Sequence, residues 1–165
     1  MSGPRGAAVP AADRDPVTVT CASAEATRAL AAMIARRATP GTVVALTGDL
    51  GAGKTCFIQG LAEGLGVEGP VTSPTFIMIA EHAGRLPLYH VDLYRTERLA
   101  EIRGLGLEEL LDGGGVTAIE WAEKAEPLLP ARAIRVRIRG AGDEPRTVEI
   151  DGALPGWPPG WTNPA

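Results

Sequence analysis

GDLGAGKT, residues 48–55, fits the phosphate-binding pattern G-x-x-x-x-G-K-[ST] at every fixed position. An apolar run, Val43 to Leu46, precedes it. Phe57, Ile58, Leu61 and Leu65 follow at helical spacing. The stretch therefore reads as strand, loop and helix. Gly48, Gly51 and Gly53 free the backbone to turn its N–H groups, with that of Ala52, inward toward an anion. Lys54 offers a charge to β- and γ-phosphates, and the Thr55 hydroxyl is placed to ligate Mg²⁺. The positive end of the following helix points at the same anion. The bland alternative, a glycine-rich turn with a chance lysine, does not account for the strand and helix on either side.

Composition sets the frame around this loop. A chain of 165 residues with 45% apolar content suffices for one domain with a proper core. It has no run of about eighteen apolar residues of the kind a membrane helix needs. The first residues, MSGPRGAAVPAADRDP, lack an apolar signal region, and two cysteines, Cys21 and Cys56, make no disulfide framework. A reducing cytoplasm is the expected compartment. The net charge of −4 argues against a surface that grips nucleic acid throughout. Lys54 and Lys124 are the only lysines, beside fourteen arginines, which makes a lysine in the loop more pointed. Residues 1–16 read as a disordered extension, 17–150 as the folded domain and 151–165 as a Pro/Gly-rich flexible tail. Trp157 and Trp161 in the tail are open to a docking role.

The expected elements alternate between strand and helix. A strand at Val17–Cys21 leads to a helix of about fifteen residues, capped by Ser23, with Leu30, Met33 and Ile34 on its apolar stripe and Pro40-Gly41 at its end. The strand Thr42–Thr47 enters the loop, and the next helix runs to Leu65 and stops at Gly66. TFIMIAEHAG and RLPLYHVDLYR read as two strands joined by a tight turn at Ala83-Gly84. A helical stretch broken near Gly104 and Gly106, a strand ending at Glu120 and a final antiparallel pair complete the pattern. The predicted class is α/β, a single P-loop NTPase domain with a mixed parallel and antiparallel sheet flanked by helices.

A nucleotide hydrolase needs an acid for its metal and a group to orient water. Ligands of open α/β sheets sit at the carboxyl ends of strands, where Asp92 follows LPLYHV and Glu120 follows VTAI. VTSPTF, residues 71–76, carries Ser73 and Thr75 about the rigid Pro74, in a position from which a switch segment approaches a γ-phosphate; an ordinary turn fits the spacing equally. His90 shares a strand face with Asp92 and reads as polar packing in preference to a general base. Arg135, Arg137 and Arg139 alternate, as on a charged edge strand, or as on a contact surface for RNA or an acidic partner. Cys56 reads as a small buried filler.

GDLGAGKT, SPTF, YHVDLYR and IEW, in that order and together with SAEATRALA, resemble the bacterial TsaE family, the P-loop ATPases of the threonylcarbamoyl-adenosine tRNA-modification system. The resemblance spans Ser23 to Ile150 and omits both tails. It implies ATP and Mg²⁺ as cofactors. Gly48 and Gly51 to Cys56 would cradle the phosphates, Ala24 would lie near the adenine, and Ser73 and Thr75 would belong to a switch-like loop. Asp92 would be the Walker-B-type acid, Glu120 would hold Mg²⁺ or its waters with Thr55, and Trp121 would lie beside the site. Lys54, Asp92, Glu120 and Thr75 would form the catalytic set. Cys56 stands where threonine or another small residue is common. The implied role is support of threonylcarbamoyl transfer to the adenosine beside the anticodon of ANN-reading tRNAs. The transfer itself would belong to TsaD-like and TsaB-like partners, with tRNA met indirectly through them and no membrane involved.

Other classes fit less well. A GTPase wants N-K-x-D, yet Asn163 is the sole asparagine. A small-molecule kinase wants an arginine-bearing lid, for which Arg95, Arg98 and Arg103 stand available. A AAA-type motor needs a further helical domain. A nucleotide sensor that binds without turnover stays open.

Overall fold

The computed structural model describes residues 16–74 and 76–152. The predicted N-terminal extension up to residue 15, the tail from residue 153 with Trp157 and Trp161, and Thr75 lie outside the described residues.

Seven strands form one sheet in the order β1-β7-β6-β2-β5-β4-β3. They are β1 (Val17–Cys21), β2 (Val43–Thr47), β3 (Ile79–His82), β4 (Leu88–Asp92), β5 (Val116–Glu120), β6 (Ile134–Arg139) and β7 (Arg146–Asp151). β2 pairs in parallel with β5 and β6, and β4 in parallel with β5; β1, β7 and β3 join antiparallel. The class is α/β, a P-loop fold on a mixed sheet. One face is covered by α1 (Ala24–Arg36) and α2 (Lys54–Gly64), burying Ile34, Phe57, Ile58 and Leu61 against Val44, Leu46, Val136 and Val148. On the other face α3 (Leu99–Gly104), α4 (Leu107–Leu111) and a 3₁₀ helix (Ala122–Leu128) cover β2, β5 and β4 through Val43, Ala45, Val91 and Ile119. The central strands are apolar on both faces, as a parallel sheet clad by helices demands.

Local chemistry explains the starts and stops. The Ser23 hydroxyl accepts from the Ala26 N–H at 3.1 Å, capping α1 as its sequence position predicts. α1 and α2 approach unusually closely. A Cβ on Gly60 would stand 2.4 Å from the Arg28 carbonyl oxygen, and one on Gly64 2.5 Å from that of Ala32. This glycine pair on α2 faces Ala31 and Ala35 of α1.

Several expectations need correction. α1 has thirteen residues and ends at Arg36, ahead of Pro40-Gly41. Met33 is half-buried at the rim of the core. β3 starts only at Ile79, because Phe76 and Ile77 project outward and Met78 takes a left-handed φ of 64°. No tight turn closes at Ala83-Gly84. Residues 83–87 form a longer loop, drawn to the helices by the Arg85 N–H on the Leu65 carbonyl and the Arg85 guanidinium on those of Ala35 and Ala38. β6 is an interior strand, not an edge; Arg135 lies opposite Asp151 and Arg137 opposite Glu149 of β7, while Arg139 lies opposite Thr147. Arg135 also pairs with Glu126 at 2.7 Å. β7 runs through Asp151, one residue into the stretch read as tail.

Candidate functional site

The P-loop strand β2 delivers residues 48–53 to the carboxyl edge of the sheet, and Gly53, at φ 111°, starts α2. Gly48 is required by space as well as by conformation. A Cβ there would stand 2.6 Å from the Ile138 carbonyl oxygen. Gly51 sits at φ 81°, a left-handed conformation that side chains disfavour.

Lys54 is buried under this loop, 4% exposed. Its ammonium donates to the carbonyls of Gly48 at 2.5 Å and Asp49 at 3.0 Å, and lies 4.1 Å from the centre of the Trp121 ring. Burial pushes its pKa below the ordinary lysine value; the carboxylates of Glu120, Glu123, Asp49 and Asp92 oppose that shift. Trp121 reaches its place through a left-handed backbone, φ 59° and ψ 41°. A non-glycine residue held there stores about 1–3 kcal/mol of strain, and such strain gathers at working sites. Tyr94 packs beside the indole at 5.2 Å between centroids. Lys124, the other lysine, is occupied structurally, donating to the carbonyls of Tyr94 at 2.7 Å and Thr96 at 2.8 Å.

The two acids named from sequence meet. Asp92 and Glu120 stand directly opposite in the β4–β5 register and are 7% and 4% exposed. The Thr55 hydroxyl donates to Glu120 Oε1 at 2.8 Å. Asp92 Oδ2 accepts from the Ser73 hydroxyl at 2.5 Å and Oδ1 from the Tyr94 N–H at 3.0 Å. The 71–78 loop is thereby tied to the acid it precedes, and Gln59 of α2 holds it further through the Val71 carbonyl at 2.9 Å. Lys54, Thr55, Glu120, Asp92, Ser73 and Trp121 thus converge on one mouth.

A cleft of about 320 Å³ adjoins the start of α2. Ala24, Gly53 and Cys56 line one side, and Gly142 to Glu144 the other. Cys56 is only half-buried, its sulfur 3.5 Å from the Ala24 carbonyl, so it is a cleft residue and not the buried filler expected. Both cysteines are free.

Arg146 escaped the sequence reading of this site, and His90 entered it only as polar packing. Arg146, from β7, donates to the Ala52 carbonyl at 2.8 Å and the Gly51 carbonyl at 3.4 Å, and to Glu144 and Gly142 at 2.6 Å and 3.1 Å. It stitches the β6–β7 turn to the phosphate loop. His90, read as packing, contacts Glu120 Oε2 at 2.7 Å. Its signal was present: an imidazole two residues before Asp92, on the strand face that meets Glu120.

No group of three or more His, Cys, Asp or Glu side chains able to hold a metal occurs among the described residues. The donor set nevertheless suits Mg²⁺, which takes one or two carboxylates and completes its shell with phosphate and water. No helix among the described residues is long and apolar enough to cross a membrane.

Known proteins resemble this chain over most of its length. A family model described as threonylcarbamoyl adenosine biosynthesis protein TsaE matches residues 21–148. The tRNA threonylcarbamoyladenosine biosynthesis protein TsaE of Bacillus subtilis is 49% identical over 125 residues, 75% of this chain and 78% of that protein. Its namesake in Treponema pallidum is 41% identical over 128 residues, 78% of this chain and 95% of the relative. The crystal structure of YdiB from Bacillus subtilis superposes with a TM-score of 0.70 at 38% identity, covering 84% of this chain and 87% of the other.

Proposed function

The chain belongs to the TsaE family of tRNA threonylcarbamoyladenosine biosynthesis, and from that premise we propose that it binds and hydrolyses ATP with Mg²⁺ to drive a TsaD–TsaB-like complex through its cycles of tRNA modification. It is not itself the transferase in this reading, and it works in the cytoplasm. The observation that carries the proposal is the 2.8 Å bond between the Thr55 hydroxyl and Glu120, formed beside the buried Lys54.

The residues divide the work. Backbone N–H groups of Gly51 to Thr55 would hold the phosphates, with Lys54 exchanging its carbonyl partners for phosphate oxygens. Ala24 and the cleft beside Cys56 would take the adenosine. Thr55, Glu120 and Asp92 would hold Mg²⁺ or its waters. The ion neutralises charge on the β- and γ-phosphates when bound. Ser73 and Thr75 would bring the 71–76 loop over the γ-phosphate and order the attacking water. Asp92 governs that loop through its bond to Ser73. Burial of these groups strengthens every electrostatic contact they make with the transition state.

Two further observations support a partner at this mouth. Leu50, Phe76, Ile77 and Tyr94 are 73%, 80%, 71% and 48% exposed around it, more large apolar surface than an isolated site needs. Arg95 is stacked on Phe76 at 4.5 Å and Arg103 is paired with Glu108 at 3.4 Å, so both side chains already have a partner within the chain. A group supplied in trans raises turnover by roughly 10³–10⁵ in GTPases. The chain alone is therefore expected to be a slow ATPase.

Phosphate release is the test. The parent should require Mg²⁺ and accelerate with the TsaD–TsaB-like pair. Lys54→Ala should fail to bind ATP productively while staying folded, and Glu120→Ala should lose hydrolysis more than binding. Parent-rate hydrolysis by Lys54→Ala would overturn the assignment. Transfer of phosphate to a small acceptor would favour a kinase instead.

A further inference from the structure

We propose that His90 is a positioning residue that locks the Glu120 carboxylate onto Thr55, and so sets the affinity of the site for its divalent ion; this rests on the reading of Thr55 and Glu120 as the ion-holding pair. His90 is wholly buried in the middle of β4. Its register neighbours are Ala80 on β3 and Ala118 on β5, two methyl groups that offer it no hydrogen bond. Its Nε2 meets Glu120 Oε2 at 2.7 Å, and its Nδ1 is buried without a hydrogen-bond partner among the described residues. A carboxylate oxygen only accepts, so Nε2 carries the proton and donates.

A residue wanted for packing alone would be an aliphatic one here, between two alanines on an apolar strand. The imidazole instead spends its single donor on Glu120. Both carboxylate oxygens are thereby engaged, Oε2 by His90 and Oε1 by Thr55. The terminal torsion of a glutamate is otherwise broad. With Oε2 pinned, Oε1 stays aimed at the Thr55 hydroxyl and accepts its hydrogen bond, which leaves the hydroxyl lone pairs for an ion. Without His90 the carboxylate keeps only its Thr55 anchor, and the Lys54 ammonium, which feels the charge of Glu120, competes for it. The chain His90–Glu120–Thr55 is thus an outer shell in which the imidazole orients the acid and the acid orients the metal-facing hydroxyl. Partners of this kind change metal affinity or activity by roughly 10–100-fold when removed.

The experiment compares the parent with His90→Leu, which keeps an apolar core side chain, and His90→Gln, whose amide restores a donor at similar reach. Folding is checked by thermal melts. ADP binding is measured by calorimetry without and with Mg²⁺, and Mn²⁺ binding to the ADP complex by electron paramagnetic resonance. His90→Leu should bind ADP like the parent without metal, lose roughly 10–100-fold in Mn²⁺ affinity, and show a reduced kcat with KM for ATP little changed. His90→Gln should recover most of the loss. A folded His90→Leu with parental Mn²⁺ affinity and kcat would overturn the proposal.

Should the variants not fold, the parent answers directly. The chain has two histidines, so imidazole ¹⁵N signals are assigned by one further variant, His82→Gln. His90 should carry its proton on Nε2, and that signal should shift when Mg²⁺ joins the ADP complex. A signal indifferent to Mg²⁺ would overturn the proposal. A parent whose ADP binding ignores divalent ions would instead bring down the ion-site reading itself, and His90's role with it.

Discussion

Replacing Arg146 by methionine removes a guanidinium while keeping most of its apolar stem. The guanidinium Nε lies 2.8 Å from the Ala52 carbonyl and Nη2 3.4 Å from that of Gly51, while other arms hold the β6–β7 turn. A hydrogen bond from a charged group contributes about 1.5–3 kcal/mol. Arg146 is partly exposed, so solvent screening lowers the figure, and only the Ala52 bond is short; about 1.4 kcal/mol is a fair value for its hold on the loop. That energy now preorganises residues 51–52. Its loss has to be made good when phosphates bind, which weakens ATP binding by roughly tenfold. Turnover at saturating ATP should hardly change, because Lys54, Thr55 and Glu120 keep their contacts. Calorimetric titration of ATP, with steady-state phosphate release alongside, reads both quantities. An affinity within twofold of the parent would mean that the glycines shape the loop unaided. Complete loss of binding by a folded variant would mean that Arg146 meets the nucleotide itself.

Burial lowers the Lys54 pKa from its ordinary 10.5, so between the lowered value and 10.5 the folded apo chain carries fewer protons than the unfolded one, and Lys54 makes stability rise with pH through that window. Phosphates should raise that pKa again; ATP binding at alkaline pH should then take up protons, seen as a binding enthalpy that varies with the buffer, and a buffer-independent enthalpy would refute it. Trp121 fluorescence, in a chain ending at Gly152, should change on Mg²⁺–ATP binding as Lys54 leaves the indole; a flat titration with binding confirmed by calorimetry would contradict the 4.1 Å contact as part of the site. Gly60→Ala gains up to about 1 kcal/mol of helix propensity, yet its methyl would lie 2.4 Å from the Arg28 carbonyl oxygen. A net loss of about 1–3 kcal/mol is expected, read as a lower urea midpoint at unchanged slope; an unchanged or higher midpoint would show that the α1–α2 contact yields.

The parts of the fold that are legible in sequence are those fixed by local chemistry. The loop at 48–55 announces itself because only glycine suits its backbone, and Ser23 because its hydroxyl caps the N–H of Ala26. Asp92 and Glu120 are readable as acids ending apolar strands, and the register sets them side by side. Illegible parts depend on which strands become neighbours. Arg146 is 94 residues from Ala52, and no local pattern links them until β7 folds back beside β6. The arginines of β6 look like an edge until β2 and β7 flank them. The start of β3 was misplaced because Phe76 and Ile77 have strand propensity, yet the chain there spends its length reaching Asp92 through Ser73. Gly60 and Gly64 carried a readable sign, small residues four apart on one helix face.

The central claim is tested most directly in tRNA. In a bacterium depleted of its own TsaE-family protein, threonylcarbamoyl adenosine in ANN-reading tRNA is measured by liquid chromatography and mass spectrometry after this chain, or its Lys54→Ala variant at equal abundance, is supplied. The parent should restore the modified nucleoside and Lys54→Ala should leave it depleted. Equal restoration by both would contradict an ATP-driven role, and restoration by neither would contradict the role in tRNA modification.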